Sequence, residues 1–145
     1  MPVLDRYLRE QASQDIRRRL SNCFVAIDAA GTVAAYYTLA ATGLPMTELP
    51  PDQARTLPRY PVLPAALLGR LAVAEDFRGQ GLGGALLVDA VTRAVRSESA
   101  IFALLVDAKD EAAKCFYLHH GFLPFVSRPQ SLFLTIAAAI QALQL

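Results

Sequence analysis

Residues 70–87 read RLAVAEDFRGQGLGGALL and place Gly79, Gly81, Gly83 and Gly84 between a strand-like apolar run and a helix-like amphipathic run. Glycine weakens either element by about 0.5–1 kcal/mol relative to alanine, so four of them need a reason. Phosphate binding supplies one. Backbone N–H groups approach a pyrophosphate closely only where no Cβ intervenes, and a helix start adds about half a positive charge. Gly79, Gly81 and Gly84 fit G-x-G-x-x-G, but Ala85-Leu86 follow where a P-loop needs Lys-Ser/Thr. A dinucleotide fold needs an acid ending the next strand and a second half-domain. The nearby Glu98 precedes the next apolar run, and too little chain follows. What is left is a phosphate loop of another kind or a tight glycine turn with no ligand.

Other reactive side chains are few. Cys23 and Cys115 are the only cysteines and lack C-x-x-C spacing, so two reduced, buried thiols are expected. His119 and His120 adjoin an expected helix end, where a cation is favourable. Neighbouring helical positions do not face one ligand, so no metal site is expected. No carboxylate stands out as a general base. The formal charge of +1 excludes a strongly polyanion-seeking protein, yet 12 of the 14 basic residues are arginine. Arg55, Arg59 and Arg70 lie in the acid-free stretch Gln53–Ala74, and Arg17, Arg18 and Arg19 are consecutive. These clusters read either as solvated faces or as phosphate contacts, for which arginine's planar fork is suited.

The elements that must position these residues follow from periodicity. Leu4, Tyr7, Leu8, Ile16 and Leu20 recur at helical spacing over residues 3–20. Cys23–Ile27 and Thr32–Ala40 are strand-like, joined by a turn at Asp28-Ala29-Ala30-Gly31. Six prolines between Ala41 and Pro64 predict a long loop with at most a short helical turn at Pro51–Arg55. The pattern then predicts a strand over Leu67–Val73, a helix over Gly81–Arg96, a strand over Ala100–Val106 and a helix over Asp110–His120 capped by Gly121. Strands over Phe122–Val126 and Ser131–Ile136 and a short helix from Ala137 complete an α/β (α+β type) chain with a mixed sheet. Its 145 residues fit one domain, 1–145, and 54% apolar residues with a mean hydropathy of +0.32 place it among globular chains. The longest uncharged stretch, Pro129–Leu145, is too short for a membrane span, and Asp5, Arg6, Arg9 and Glu10 interrupt any signal-peptide pattern. A cytoplasmic protein is expected.

The glycine stretch also carries a more specific pattern. Arg78-Gly79-Gln80-Gly81-Leu82-Gly83 resembles R/Q-x-x-G-x-G/A, the acyl-CoA pyrophosphate loop of the GNAT N-acetyltransferases, and Leu71-Ala72-Val73 precedes it as in that family. Downstream, DEAAKCFYLHHGF (Asp110–Phe122) resembles the family's N-x-x-A-x-x-[LF]-Y-x-x-x-G-F, with Ala113, Phe116, Tyr117, Gly121 and Phe122 at matching positions. Asp110 departs from it, standing where Asn is usual, and a carboxylate there would repel phosphates. The resemblance implies acetyl-CoA as donor and no metal. Its cofactor-binding residues would be Leu71, Ala72, Val73, Arg78, Gly79, Gln80, Gly81, Leu82, Gly83 and Gly84, with Asp110 and Phe116. The N–H of Val73 would hold the thioester oxygen. Tyr117 would be the catalytic proton donor to the departing thiolate. At about 10 against about 8.5 for a thiol, full transfer is uphill by about 2 kcal/mol, so hydrogen-bond donation is the expected mode.

LDRYLREQASQD, YYTLAA, LPRYPVLPAALLGRLAV and FYLHHGFLPF are similar to the acetyltransferase toxins of bacterial toxin–antitoxin pairs, which acetylate the α-amino group of aminoacyl-tRNA and stop translation. That resemblance implies a GNAT fold whose first edge strand is missing here, since the chain opens at the LDRYL helix. It also implies a ribbon-helix-helix antitoxin as partner, a possible homodimer, and tRNA contacts from Arg17, Arg18, Arg19, Arg55, Arg59 and Arg70. The absence of a base fits: an α-amino group titrates at about 7.7–8.0 and is partly neutral in the cell, whereas lysine, at about 10.4, is not. The alternatives are a GNAT enzyme acting on a small amine or protein N-terminus, and a non-catalytic acyl-CoA-binding module.

Overall fold

The computed structural model describes residues 2–144, with side chains from Arg6 onward. Six strands form one mixed sheet in the order β1-β2-β3-β4-β6-β5: β1 (Asn22–Ile27), β2 (Val33–Pro45), β3 (Val62–Val73), β4 (Ala103–Asp107), β5 (Leu123–Pro124) and β6 (Ser131–Thr135). The helices are α1 (Pro2–Glu10), α2 (Ala12–Arg17), α3 (Pro51–Ala54), α4 (Leu82–Val95), α5 (Glu111–His119) and α6 (Ile136–Leu143). The expected class is therefore observed. The chain gathers into two units, one of residues up to Ala41 with Leu68–Arg93, the other of Thr42–Leu67 with Ala94 onward.

In the first unit the expected single helix is two, α1 and α2, parted at Gln11. α2 closes with Arg19 in the left-handed region (φ +60°) while the Leu20 N–H donates to the Asp15 carbonyl at 2.9 Å. That is a helix-ending turn usually left to glycine. Tyr7, Ala12, Tyr36 and Ala72 form a buried cluster here. The β1–β2 hairpin is antiparallel, and its turn is held by the Asp28 carboxylate, which accepts from the N–H groups of Ala30 and Thr32 at 2.9 Å each. Leu86, Leu87, Ala90 and Val91 supply the buried stripe of α4, as their spacing requires.

In the second unit the proline-rich connection is shorter than expected, because β2 runs to Pro45 and β3 begins at Val62. Proline is tolerated where the ladder needs no N–H. Pro64 uses its carbonyl instead, accepting from Phe102 N–H at 2.8 Å. Leu44, Leu49, Leu63, Ala65, Ala103, Leu105, Phe125 and Phe133 form the core. Cys115 is exposed on α5 and Cys23 only half-buried, so the expected pair of buried thiols is corrected; both are free. The reason lies in period: Cys115 falls on the outer face of a helix whose buried residue is Tyr117.

Glu48 stands out as a buried acid. It accepts from the Ser127 N–H at 2.8 Å and the Ser127 hydroxyl at 2.5 Å, and so ties the segment before β6 to the turn that follows β2. The Ser127 bonds, aided by Arg128, hold its carboxyl below the ordinary 4.5. A carboxyl lowered in the folded state stabilises it above the unfolded value, and that contribution fades as pH falls through the folded one. Glu48→Gln is expected to lower Tm near pH 7, with the gap from wild type closing below about pH 4.5; thermal melts across pH 3–7 check this.

Candidate active site

The glycine loop takes the form that phosphate chemistry requires. Gly79 and Gly81 have φ of +77° and +76°, and a Cβ built on either would meet nothing within 4 Å. Their glycines answer to backbone conformation, not crowding. Gly81 is the residue before α4, and its carbonyl accepts from the Ala85 N–H at 3.1 Å. The N–H groups of Leu82, Gly83 and Gly84 have no acceptor within the helix, and Gly81 has no side chain to cap them. Among the described residues no side chain caps them, at the positive end of a 14-residue helix. Arg78 is exposed beside them. These residues suit a pyrophosphate. Before the loop, Ala72 is buried and Leu71 and Val73 half-buried at the end of β3. The five residues of β4 cannot pair along all twelve of β3, so part of the β3 backbone lacks that neighbour.

Tyr117 lies on α5 in the second unit, buried, with its ring gripped by Phe116 at 5.2 Å edge-on and Phe122 at 5.4 Å. Among the described residues nothing hydrogen-bonds its hydroxyl, and no sealed polar side-chain atom lacks a partner, so the oxygen reaches solvent. Burial pushes the hydroxyl up to about 12, so it stays protonated at any physiological pH. Phe116 also packs on His120 at 4.7 Å. Asp110 is the N-cap of α5, its carboxylate accepting from Ala113 N–H at 2.8 Å. The departure from Asn thus has a local use that the S/T/D/N cap preference could have supplied from sequence.

The arginines divide. Arg17 and Arg19 line a groove of about 480 Å³ with Ser21 and Asn22, and no acid lines it. Arg18 is exposed at the same corner, and Arg55 and Arg59 are exposed around α3. Arg70 is half-buried, its guanidinium 3.8 Å from the ring centroid of Tyr7. Tyr7 in turn donates to Asp15 at 2.9 Å. This stacking was invisible in sequence, because the two residues lie far apart in the chain. Among the described residues no group of His, Cys, Asp and Glu could hold a metal, and no helix is long and apolar enough to cross a membrane.

A bare-backbone turn opening a helix after a buried strand is a geometry suited to a pyrophosphate. The family is shown by comparison: the acetyltransferase (GNAT) domain model matches residues 19–124, and the chain belongs to that family. It is 39% identical over 123 residues to the tRNA-acetylating toxin of Mycobacterium tuberculosis (strain ATCC 25618 / H37Rv), covering 83% of this chain and 72% of that one. It is 30% identical to the probable toxin TacT of Sinorhizobium fredii (strain NBRC 101917 / NGR234), covering 73% of this chain and 64% of that one, so it spans less than two thirds of that relative's length. Among solved structures, AtaT complexed with acetyl-methionyl-tRNAfMet superposes with a TM-score of 0.91 at 26% identity, covering 100% of this chain and 88% of that one. AtaTR bound with acetyl-CoA gives 0.83 at 25% identity, with 99% and 86% covered.

Gly81→Ala forces a side chain into the left-handed region at a cost of about 1–2 kcal/mol. With no clash to unfold the loop, the strain is expected to appear as about tenfold weaker acetyl-CoA binding. Calorimetry on the folded variant checks it.

Proposed function

We propose that the protein transfers the acetyl group of acetyl-CoA to the α-amino group of aminoacyl-tRNA and thereby blocks translation. The observation that carries the acceptor is the 39% identity to a tRNA-acetylating toxin over most of the chain. The observation that carries the donor is the pair of left-handed glycines opening α4. In this reading residues 1–145 act as one GNAT domain. Gly79–Gly84 and Arg78 hold the pyrophosphate, Leu71–Val73 line the pantetheine arm, and the Val73 N–H polarises the thioester carbonyl. Phe116 supports Tyr117, and Asp110 contributes by starting α5.

The neutral amine attacks the thioester carbon, the C–S bond breaks, the coenzyme leaves as thiolate, and the nitrogen gives up one proton to solvent as the amide forms. Tyr117 meets that developing charge. With its hydroxyl at about 12 and a thiol at about 8.5, complete proton transfer is uphill by about 5 kcal/mol, so it stabilises sulfur as a hydrogen-bond donor. No side chain need take a proton before attack, because the α-amino group is already partly neutral at pH 7–8. Arg17, Arg18 and Arg19, with Arg55, Arg59 and Arg70, hold the tRNA backbone. An aminoacyl-tRNA acceptor and an acetyl-CoA donor support a cytoplasmic location. In this reading the partner is a neutralising ribbon-helix-helix antitoxin, and a homodimer is the assembly to test for.

One kinetic comparison tests both roles. Tyr117→Phe is expected to lower kcat about 10²–10³-fold with acetyl-CoA affinity unchanged. Arg70→Ala is expected to raise KM for aminoacyl-tRNA and lower the salt slope by about one unit, leaving acetyl-CoA use intact. Steady-state assays at several salt concentrations read both. Wild-type turnover in Tyr117→Phe contradicts the donor role, and salt-indifferent acetylation of a small amine contradicts the acceptor.

A further inference from the structure

The start of α4 carries the pyrophosphate turn, yet the polar anchoring of this helix lies two turns further on. Tyr37 of β2 is fully buried, and its hydroxyl donates to Asp89 Oδ2. Arg93 Nε donates to the same hydroxyl oxygen at 3.0 Å and to the same carboxylate oxygen at 3.1 Å. The Arg93 guanidinium lies over the ring of Phe24 on β1, 4.0 Å from its centroid, and Phe24 stacks on Tyr37 at 5.2 Å. Three side chains thus converge on one oxygen pair, backed by two stacked rings.

The charges reinforce the arrangement. The Tyr37 hydroxyl bond, helped by Arg93, holds the Asp89 carboxyl below its ordinary value, while burial and the neighbouring carboxylate push the Tyr37 hydroxyl up. At neutral pH the node is a neutral phenol, a carboxylate and a guanidinium. The bonds are charge-assisted and directional. To the packed stripe of Leu86, Leu87, Ala90, Val91 and Ala94 the node adds a directional donor–acceptor set. Asp89 stands seven residues from Leu82, about 10 Å along a rigid helix, so the setting of the node is the setting of the first turn.

We propose that Tyr37, Asp89 and Arg93 are positioning residues that fix the axial and rotational setting of α4, and through it the N–H groups of Leu82, Gly83 and Gly84 that receive the donor's pyrophosphate. None of the three touches the donor. The proposal rests on the assignment of that turn to acetyl-CoA.

The test uses the full chain with Tyr37→Phe, Asp89→Asn, the double variant, Gly81→Ala, and Leu87→Val as a packing control. Acetyl-CoA Kd, KM for each substrate, kcat and Tm are measured for each. Tyr37→Phe and Asp89→Asn are each expected to raise Kd and KM for acetyl-CoA about five- to tenfold, with kcat at saturating donor within about twofold and the acceptor KM unchanged. The double variant is expected to be no worse than the weaker single, because both break one node. Leu87→Val is expected to lower Tm while leaving donor KM unchanged. If acetyl-CoA affinity falls in Gly81→Ala but holds in Tyr37→Phe and Asp89→Asn, even as Tm falls, the proposal is overturned and the node is structural only. If affinity holds in Gly81→Ala as well, the assignment of the turn to acetyl-CoA fails, and the proposal falls with it.

Discussion

A pyrophosphate carries two negative charges, and this chain meets it with a net charge of only +1. On the proposed reading, the exposed Arg78 is joined by backbone N–H groups, which are weak individually and useful only when several converge with nothing in their way. The left-handed Gly79 and Gly81 before α4 are compatible with that requirement. It also places a demand on the rest of the first unit. A cradle made of backbone can be no more accurate than the helix that carries it. On the proposal above, the Tyr37–Asp89–Arg93 node answers that demand.

The second unit answers a different one. A proton donor for a thiolate should be neutral, dry around its ring and free at its oxygen. Tyr117 meets each condition: burial keeps it protonated, Phe116 and Phe122 hold the ring, and no protein group competes for the hydroxyl among the described residues. Catalysis of this type needs no metal and no strong base when the acceptor amine is already partly neutral. The scarcity of reactive side chains in the sequence is therefore consistent with the chemistry.

The proposed site is local in sequence. The glycine loop, the strand before it and the Tyr117 helix each occupy one short segment, where spacing and type suffice. α4 and α5 came out within a residue or two for the same reason, since period and caps mark them. The misjudged regions depend on partners distant in sequence. β2 continues past Ala40, and β3 begins before Pro64, because pairing overrides local composition. Asp89 and Arg93 could be seen as an i,i+4 pair, but nothing local pointed to Tyr37 52 residues away. The stacking of Arg70 on Tyr7 and the grip of Glu48 on Ser127 were hidden in the same way. Cys115 shows the opposite error, a composition habit overruled by helical phase.

The proposed reaction is a transfer to the α-amino group of aminoacyl-tRNA. It is tested by incubating the protein with labelled acetyl-CoA and a mixed pool of charged and uncharged tRNA, then digesting the RNA and analysing it by mass spectrometry. Labelled N-acetyl-aminoacyl-adenosine is expected from charged tRNA alone, with none from uncharged tRNA. Label confined to small amines or protein N-termini, with charged tRNA unmodified, would contradict it.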